Sequence, residues 1–362
     1  MYAVAESLRS KMVSFPRGAS ADFDLIEFIL KYCEDYQVGK ASCRDFGDMQ
    51  KINSQQEKPR RIGRHFHKIE ILEDRVFSKR AAGETNLGFA STSQETSFYH
   101  FLDQHPDLQP MFPKFVDAGP GFIQTEFLNG FQTVYAARKK LDSVEVDRAV
   151  FNAFKRLHKP VQVPVEARVQ AVLEEIVEKS IRRFMQSPSI TARLVDAEYV
   201  LKAADRSRAF FSAYARDREF AVVHADPNME NVMIEPVTRT VKFIDPKGVY
   251  GGLKGIGDPA YDYAKYIYGL FFNRLEDINS TVGNLDLQDW KRSGLNYQSL
   301  YREIEDLIEF FAIEAGDRRL ISAIRLMIGW IMISVPPFVS QDINKMILAG
   351  QFGSEFLYTS NR

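Results

Sequence analysis

The stretch VVHADPNMENVMIEPVTRTVKFID, residues 222–245, decides the fold. Three short apolar runs, AVV, VMI and VKFI, are typical of buried strands, and a turn around Pro236 joins the last two into a hairpin. A polar residue stands at the end of each run: Asp226 follows the first, Asn231 precedes the second and Asp245 ends the third. We therefore expect these three side chains to lie at one rim of the strands.

Carboxylate and amide oxygens at one rim suit phosphoryl transfer. Magnesium prefers hard oxygen ligands, commonly one or two carboxylates together with nucleotide phosphates. This chemistry predicts that Asn231 and Asp245 bind Mg²⁺. Asp226 is then left to orient an acceptor hydroxyl and accept its proton, in a reaction that depends mainly on positioning and charge neutralisation.

The sequence on either side predicts an α+β protein. Towards the N-terminus, HKIEIL and RVFSKR alternate around residues 73–74 and predict a hairpin, Ser91-Thr92 begins a helix that continues through Leu102, and residues 122–127 (FIQTEF) predict another strand. After residue 130 the apolar period becomes helical, and it returns beyond Pro259. The plan is a small strand-rich part followed by a larger helical part, with residues 1–60 as an N-terminal extension or cap.

Four motifs occur in the order of a known family. They are EFLNG at 126–130, LH at 157–158, HADPNMEN at 224–231 followed by ID at 244–245, and GDPAYDYA at 257–264. Together they resemble the aminoglycoside/choline phosphotransferase branch of the protein-kinase-like superfamily, the phosphotransferase enzyme family, over roughly residues 65–340. Three features depart from the pattern: Ala225 replaces a glycine, PKG follows Asp245, and no glycine-rich loop precedes Lys79.

The resemblance implies a bilobal protein-kinase-like fold with ATP bound between the lobes. Residues 61–128 would form the β-rich N-lobe, which carries the nucleotide-binding sheet. Residues 129–362 would form the helical C-lobe, which carries the catalytic loop and the acceptor site. His224 and Asp262 would support the catalytic loop structurally rather than take part in the chemistry.

The resemblance also implies a nucleotide site in the N-lobe. Lys79 would contact the α- and β-phosphates, Glu95 would pair with Lys79, and the backbone of Glu126, Phe127 and Leu128 would contact adenine. Two simpler interpretations stay open. Lys79 could be a solvated strand lysine, and Thr92-x-x-Glu95 is also a capping box, which would explain the glutamate without a nucleotide.

Composition excludes several classes of protein. Hydrophobic residues make up 45% and charged residues 26% of 362 residues, which is typical of a globular chain rather than a disordered one. The net charge of −1 gives no indication of a nucleic-acid partner, and two cysteines cannot form a disulfide framework. Charges in the first 15 residues argue against a signal peptide, and the apolar run at 326–339 is too short for a membrane span. We expect a cytoplasmic protein without membrane insertion; its oligomeric state stays open.

These observations predict an ATP- and Mg-dependent phosphotransferase that acts on a hydroxyl of a small molecule. The form IDPKG, with ISVPP near the C-terminus, resembles phosphotransferase-family proteins of surface-polysaccharide loci, so a sugar or sugar-like compound is the expected acceptor. A protein kinase is a weaker alternative, because only residues 246–261 separate Asp245 from Asp262 and no APE motif lies among them. A nucleotide-binding pseudokinase or scaffold is the alternative outside enzymes.

Overall fold

The computed structural model describes residues 67–72, 76–81, 86–185, 197–282, 297–335 and 343–360. All of them belong to one compact unit that spans residues 62–362. The predicted extension at residues 1–60 lies outside the described residues.

The described strands are short. They are β1 (His67–Leu72), β2 (Val76–Ala81), β3 (Phe115–Gly119), β4 (Phe122–Glu126), β5 (Gln132–Thr133), β6 (Pro160–Val161), β7 (Phe220–Val222), β8 (Val232–Ile234), β9 (Val241–Phe243), β10 (Val249–Tyr250), β11 (Leu253–Lys254) and β12 (Ile256–Gly257).

The helices are longer and lie mostly in the second half. They are α1 (Asn86–Leu102), α2 (Val134–Arg138), α3 (Ser143–Leu157), α4 (Val165–Val172), α5 (Lys179–Met185), α6 (Ala197–Arg216), α7 (Pro259–Val282), α8 (Tyr297–Glu314), α9 (Leu320–Ile333) and α10 (Ile343–Ser360), with a 3₁₀ turn at Gln109–Met111 and a π-helical turn at Leu173–Glu178.

An antiparallel sheet in the order β1-β2-β4-β3 carries the N-terminal part of the site. The predicted hairpin is confirmed, since Ile69 pairs with Lys79 across β1 and β2. On the other side of β2, Lys79 is opposite Ile123 of β4, so this lysine lies on a central strand and is buried. Helix α1 packs on β2 and β4.

Helix α1 begins at Asn86, five residues before the predicted start at Ser91-Thr92. Thr92 therefore lies inside the helix, where its hydroxyl donates to the carbonyl of Gly88 at 3.2 Å, a bond that threonine makes in helix interiors. The capping-box interpretation of Glu95 is wrong, because a residue inside a helix cannot be its N-cap.

Two small sheets carry residues 222–245, the segment with the predicted site residues. The predicted hairpin is β8-β9, with β5 added to its edge, and β7 lies between β6 and β12. The amide of Ile244 donates to the carbonyl of Asn231 at 2.9 Å. This bond extends the hairpin pairing by one step, so Asn231 and Asp245 come to the same end of the hairpin.

The helical part agrees with the sequence periodicity. In the sequence, Asp142 with Glu145 three residues on predicts an N-cap, and apolar residues with a helical period predict a helix over residues 169–184. Asp142 is the N-cap of α3 and accepts the amides of Val144 and Glu145 at 2.8 and 3.2 Å. The second helix is continuous from α4 to α5, except that its middle turn is π-helical. Among the described residues, no helix has the length and apolar character needed to cross a membrane.

The predicted α+β class is confirmed, with a small strand-rich part before a larger helical part. The core of the helical part is apolar and aromatic: Phe154 contacts Phe243 of the catalytic hairpin, with ring centroids 5.3 Å apart. The hairpin that presents Asn231 and Asp245 is thus packed on helix α3. The predicted lobe boundary between residues 128 and 129 stays a prediction.

Candidate active site

The Lys79 ammonium joins three parts of the fold. Its Nζ donates to Oε2 of Glu95 on α1 at 3.0 Å and to Oδ1 of Asp245 after β9 at 2.5 Å. Lys79 and Glu95 are buried, whereas 44% of the Asp245 side chain is exposed. The alternative of a solvated strand lysine is therefore wrong. The ammonium is held between a buried carboxylate and one that faces solvent.

The charges of this group reinforce the arrangement. Burial alone would lower the pKa of Lys79, but the carboxylates of Glu95 and Asp245 outweigh burial and raise it well above its usual range. Burial raises the pKa of Glu95, and the Lys79 ammonium opposes that rise. Lys79 is therefore a fixed positive charge at neutral pH, which is the property that binding of phosphate oxygens requires.

Asp226 lies on the loop between β7 and β8, close to a lysine that the sequence analysis did not single out. Its Oδ1 is 3.0 Å from Nζ of Lys265 on α7, and both side chains are mostly buried. The backbone carbonyl of Asp226 accepts the side-chain amide of Asn231 at 2.9 Å. This backbone bond links Asp226, which is proposed to orient the acceptor, to Asn231, which is proposed to bind the metal.

His224 is fixed as a neutral ring. The backbone amide of Asp226 donates to its Nδ1 at 3.2 Å, so Nε2 carries the proton and donates to the carbonyl of Ile244 at 2.9 Å. Burial lowers the pKa of His224. Because both ring nitrogens are used by the backbone, the geometry favours a supporting role over general-base catalysis.

Asp262 holds the same loop from α7. Its Oδ2 accepts the amide of His224 at 2.9 Å and Nε2 of His158 at 3.1 Å, and its Oδ1 accepts the amide of Ala225 at 2.8 Å. Ala225 has a φ of 67°, a left-handed conformation that glycine adopts more readily than alanine. This is the position at which the family motif has glycine, so the backbone shape is retained while the residue differs.

Asn231 and Asp245 fit a hard cation by the chemistry of their donors. The Asn231 amide nitrogen is used in its bond to Asp226, so its oxygen is the group that a cation would meet. Asp245 presents its partly exposed carboxylate from the same end of the hairpin. Within the described ranges, no group of three or more His, Cys, Asp or Glu side chains could hold a metal alone. Two protein ligands are compatible with magnesium, which commonly completes its shell with water and phosphate.

The segment Glu126–Leu128 begins with the last residue of β4. The Glu126 carboxylate is engaged with the amide of Lys114 at 3.1 Å and the ammonium of Lys242 at 3.3 Å, and the carbonyl of Phe127 accepts the amide of Asn129 at 3.0 Å. The side chain of Glu126 therefore stabilises the local structure. Contact between adenine and the backbone of Glu126, Phe127 and Leu128 stays a prediction.

A second charged cluster was missed by sequence reasoning. Oε1 of the buried Glu175, on the π-helical turn, accepts Nζ of Lys247 at 2.5 Å, the hydroxyl of Tyr261 at 2.9 Å and Nζ of Lys179. Burial alone would raise the pKa of Glu175, but the two ammonium groups outweigh burial and hold it well below its usual range. In the sequence, Lys247 could have been noticed because PKG follows Asp245 where the motif of the similar family differs. Lys179 and Lys265 look like ordinary helix lysines.

Comparisons with known proteins find similarity among solved structures only. No protein-family model matches the chain, and no curated protein sequence matches it. Among solved structures, a glucosamine kinase is 13% identical, with 80% of this chain and 75% of that chain covered and a TM-score of 0.48. An ethanolamine kinase of Plasmodium vivax is 12% identical, with coverages of 96% and 95% and a TM-score of 0.48. An aminoglycoside phosphotransferase from Streptomyces rimosus is 18% identical, with coverages of 75% and 91% and a TM-score of 0.40.

These proteins are small-molecule kinases by name. At identities of 12–18% and TM-scores of 0.40–0.48, the similarities carry no argument about the family or the activity of this chain. The functional conclusion therefore rests on the geometry of the charged groups described above.

Proposed function

We propose that the protein is a phosphotransferase that transfers the terminal phosphoryl group of ATP to a hydroxyl of a small molecule, with magnesium as the metal. The observation that carries this proposal is the Lys79 ammonium bonded to both Glu95 and Asp245. A lysine fixed by a helix glutamate beside a metal-binding aspartate is the arrangement that places nucleotide phosphates in kinase-type phosphoryl transfer.

Each residue has a distinct part in the proposed reaction. Lys79 would bind phosphate oxygens of the nucleotide, and Asn231 and Asp245 would hold magnesium, which would supply charge neutralisation on the phosphates. Asp226 orients the acceptor hydroxyl and accepts its proton as the new oxygen–phosphorus bond forms and ADP leaves. Lys265 holds the Asp226 carboxylate in place until the acceptor arrives, which its distance of 3.0 Å supports.

A small molecule fits the geometry after Asp245 better than a protein substrate does. Protein kinases use the segment that follows this aspartate as a platform for the peptide. Here the segment is occupied by β10, β11 and β12, and the amide of Val223 bonds back to the carbonyl of Gly255 at 3.0 Å. It packs on the sheet that contains β7, which supports a small acceptor rather than a peptide. The sugar-like compound predicted from the sequence is the acceptor that we propose.

The test is nucleotide binding followed by a screen of acceptors. ATP with magnesium should raise the melting temperature, because a ligand selective for the folded state stabilises it by mass action. Release of ADP is then measured with monosaccharides, aminoglycosides, choline, ethanolamine and a generic protein substrate, with Asp226→Asn as the inactive control. Absence of ATP–Mg binding by the folded protein would refute the proposal, and turnover with protein alone would refute the small-molecule class.

A further inference from the structure

The Glu175 cluster brings two lysines to one buried carboxylate. The amino groups of Lys179 and Lys247 share one carboxylate oxygen, which also accepts the Tyr261 hydroxyl. A single lysine is sufficient to neutralise a buried carboxylate, and burial together with the neighbouring Lys247 ammonium lowers the pKa of Lys179 well below its usual range. A cluster built only to stabilise the fold would therefore need just one of the two lysines.

The lysines of this cluster are its more accessible part. The Lys179 and Lys247 side chains are 20% and 23% exposed, whereas that of Glu175 is 5% exposed. Solvent therefore reaches the lysine side chains more readily than the carboxylate. A charged lysine at a partly exposed position can donate strong hydrogen bonds to an anionic group.

The cluster borders the proposed catalytic carboxylate. The backbone amide of Lys247 donates to the carbonyl of His224 at 3.1 Å, and Tyr261 directly precedes Asp262 in the chain. On the side of the Tyr261 ring, the ammonium of Lys265 lies 5.8 Å from the ring centroid, and the same ammonium is 3.0 Å from Asp226. One tyrosine side chain thus separates the lysine pair from the place where the acceptor hydroxyl would react.

We propose that Lys179 and Lys247 form a subsite for an anionic group, a carboxylate or a phosphate, on the acceptor whose hydroxyl reaches Asp226. The inference rests on the proposed function and narrows its substrate class to an acidic or phosphorylated sugar-like compound. Lys247 is the main ligand, because the backbone bond from its own amide to His224 fixes it to the catalytic loop. Cationic acceptors are disfavoured, since they would face the ammonium groups of Lys247 and Lys265.

The experiment compares four hexoses of one ring size. Glucose is neutral, glucosamine is cationic, glucuronate carries a carboxylate and glucose 6-phosphate carries a phosphate. Binding of each sugar is measured by calorimetry with and without saturating ADP and magnesium, so that the result does not depend on turnover. At least one of the two anionic sugars should bind ten-fold or more tightly than glucose, and glucosamine should bind no better than glucose. Comparison of glucuronate with glucose 6-phosphate then distinguishes a carboxylate subsite from a phosphate subsite.

Matched variants assign the effect to the lysine pair. Lys247→Met should weaken binding of the preferred anionic sugar at least ten-fold without changing the affinity for glucose, and Lys247→Arg, which keeps the charge, should restore most of it. Lys155→Met makes the same change at an exposed site of α3 and should have no effect. Because Glu175 keeps its bonds from Lys179 and Tyr261, the Lys247→Met variant should fold, and its melting temperature is measured to verify this. Lys179→Met tests the second lysine of the pair independently.

Three results would overturn the inference: glucose or glucosamine binding as tightly as the better-bound anion, anion binding that Lys247→Met leaves unchanged, or no binding of either anion. These results are separate from failure of the proposed function. A wild-type protein that binds ATP–Mg but shows one of them loses the anionic subsite and keeps the phosphotransferase assignment, whereas a protein that binds no ATP–Mg loses the assignment itself.

Discussion

Replacement of Asp262 by asparagine should destabilise the protein through the catalytic loop. The carboxylate is fully buried and accepts two backbone amides, from His224 and Ala225, at 2.9 and 2.8 Å. Asparagine has nearly the same shape but one acceptor oxygen, so its NH₂ group must face one of these amides. That buried N–H then loses its acceptor, at a cost of about 1–3 kcal/mol, and the remaining bond loses its charge assistance.

The expected total loss is about 3 kcal/mol in the free energy of unfolding. For a unit of about 300 residues, an unfolding entropy of about 2.1 cal/mol/K per residue converts this loss into a fall of about 5 °C in the melting temperature. Turnover should fall with it, because the displaced amides belong to the residues that precede Asp226.

Asp258→Asn is the matched control, four residues earlier and equally buried. Its Oδ1 accepts the amide of Ala260 at 3.0 Å, and its Oδ2 has no hydrogen-bond partner among the described residues. Burial raises the pKa of Asp258, and an asparagine can keep the one amide bond with its own oxygen. We expect a loss below about 1 kcal/mol, or about 2 °C.

Thermal and urea unfolding, followed by circular dichroism, measure both variants against the wild type. The reasoning predicts a clear difference between the two positions. Equal losses at Asp262 and Asp258, or a loss below about 1 kcal/mol for Asp262→Asn, would show that the two backbone bonds do not hold the loop.

Four further predictions follow from the site. Asp226→Asn should lower turnover about 10²–10⁴-fold and leave ATP–Mg affinity, measured by calorimetry, nearly unchanged; substantial residual turnover would contradict its role. Asp245→Asn should weaken ATP–Mg binding as well, and normal binding would contradict metal ligation. Because burial lowers the pKa of His224, the folded state binds fewer protons at this ring than the unfolded state does. The free energy of unfolding should therefore fall as the pH drops below about 6.5, by at most about 1.4 kcal/mol per pH unit. Urea unfolding at several pH values should show that His224→Asn flattens this slope. Ala225→Gly should change the free energy of unfolding by less than about 1 kcal/mol, because relief of the positive φ offsets the lost methyl burial; a loss twice as large would contradict it.

The sequence predicted the elements that are governed by local pattern. The hairpin β8-β9 follows from alternation and a turn around Pro236, and α3 follows from the cap at Asp142. The catalytic loop was predictable because its polar residues stand at the ends of apolar runs. Asp262 was predictable through the family motif, and the structure gives the physical reason in its two bonds to the loop amides.

Elements that depend on distant packing were not predictable. The start of α1 at Asn86 is an exception, since Thr85, a residue type common at N-caps, directly precedes it in the sequence. The mistaken cap at Thr92 gave Glu95 a local explanation that the bond to Lys79 replaces. Strand β3 contains aspartate and glycine, which are depleted in strands, and it forms by pairing with β4. Nor can a sequence pattern show that lysines from three different elements converge beside one tyrosine.

The three residues after Asp245 connect the two charged groups of the site. Asp245 itself bonds to Lys79, and Lys247 bonds to Glu175 on the opposite side. Gly248 has a φ of 66°, and a Cβ at this position would lie 2.8 Å from Cβ of Phe98 and 3.1 Å from a backbone oxygen on α1. Only glycine permits this close approach without strain. The helix that carries Glu95 is therefore packed directly on the segment that carries Lys247, so the proposed nucleotide site and the proposed anionic subsite are positioned by the same few residues.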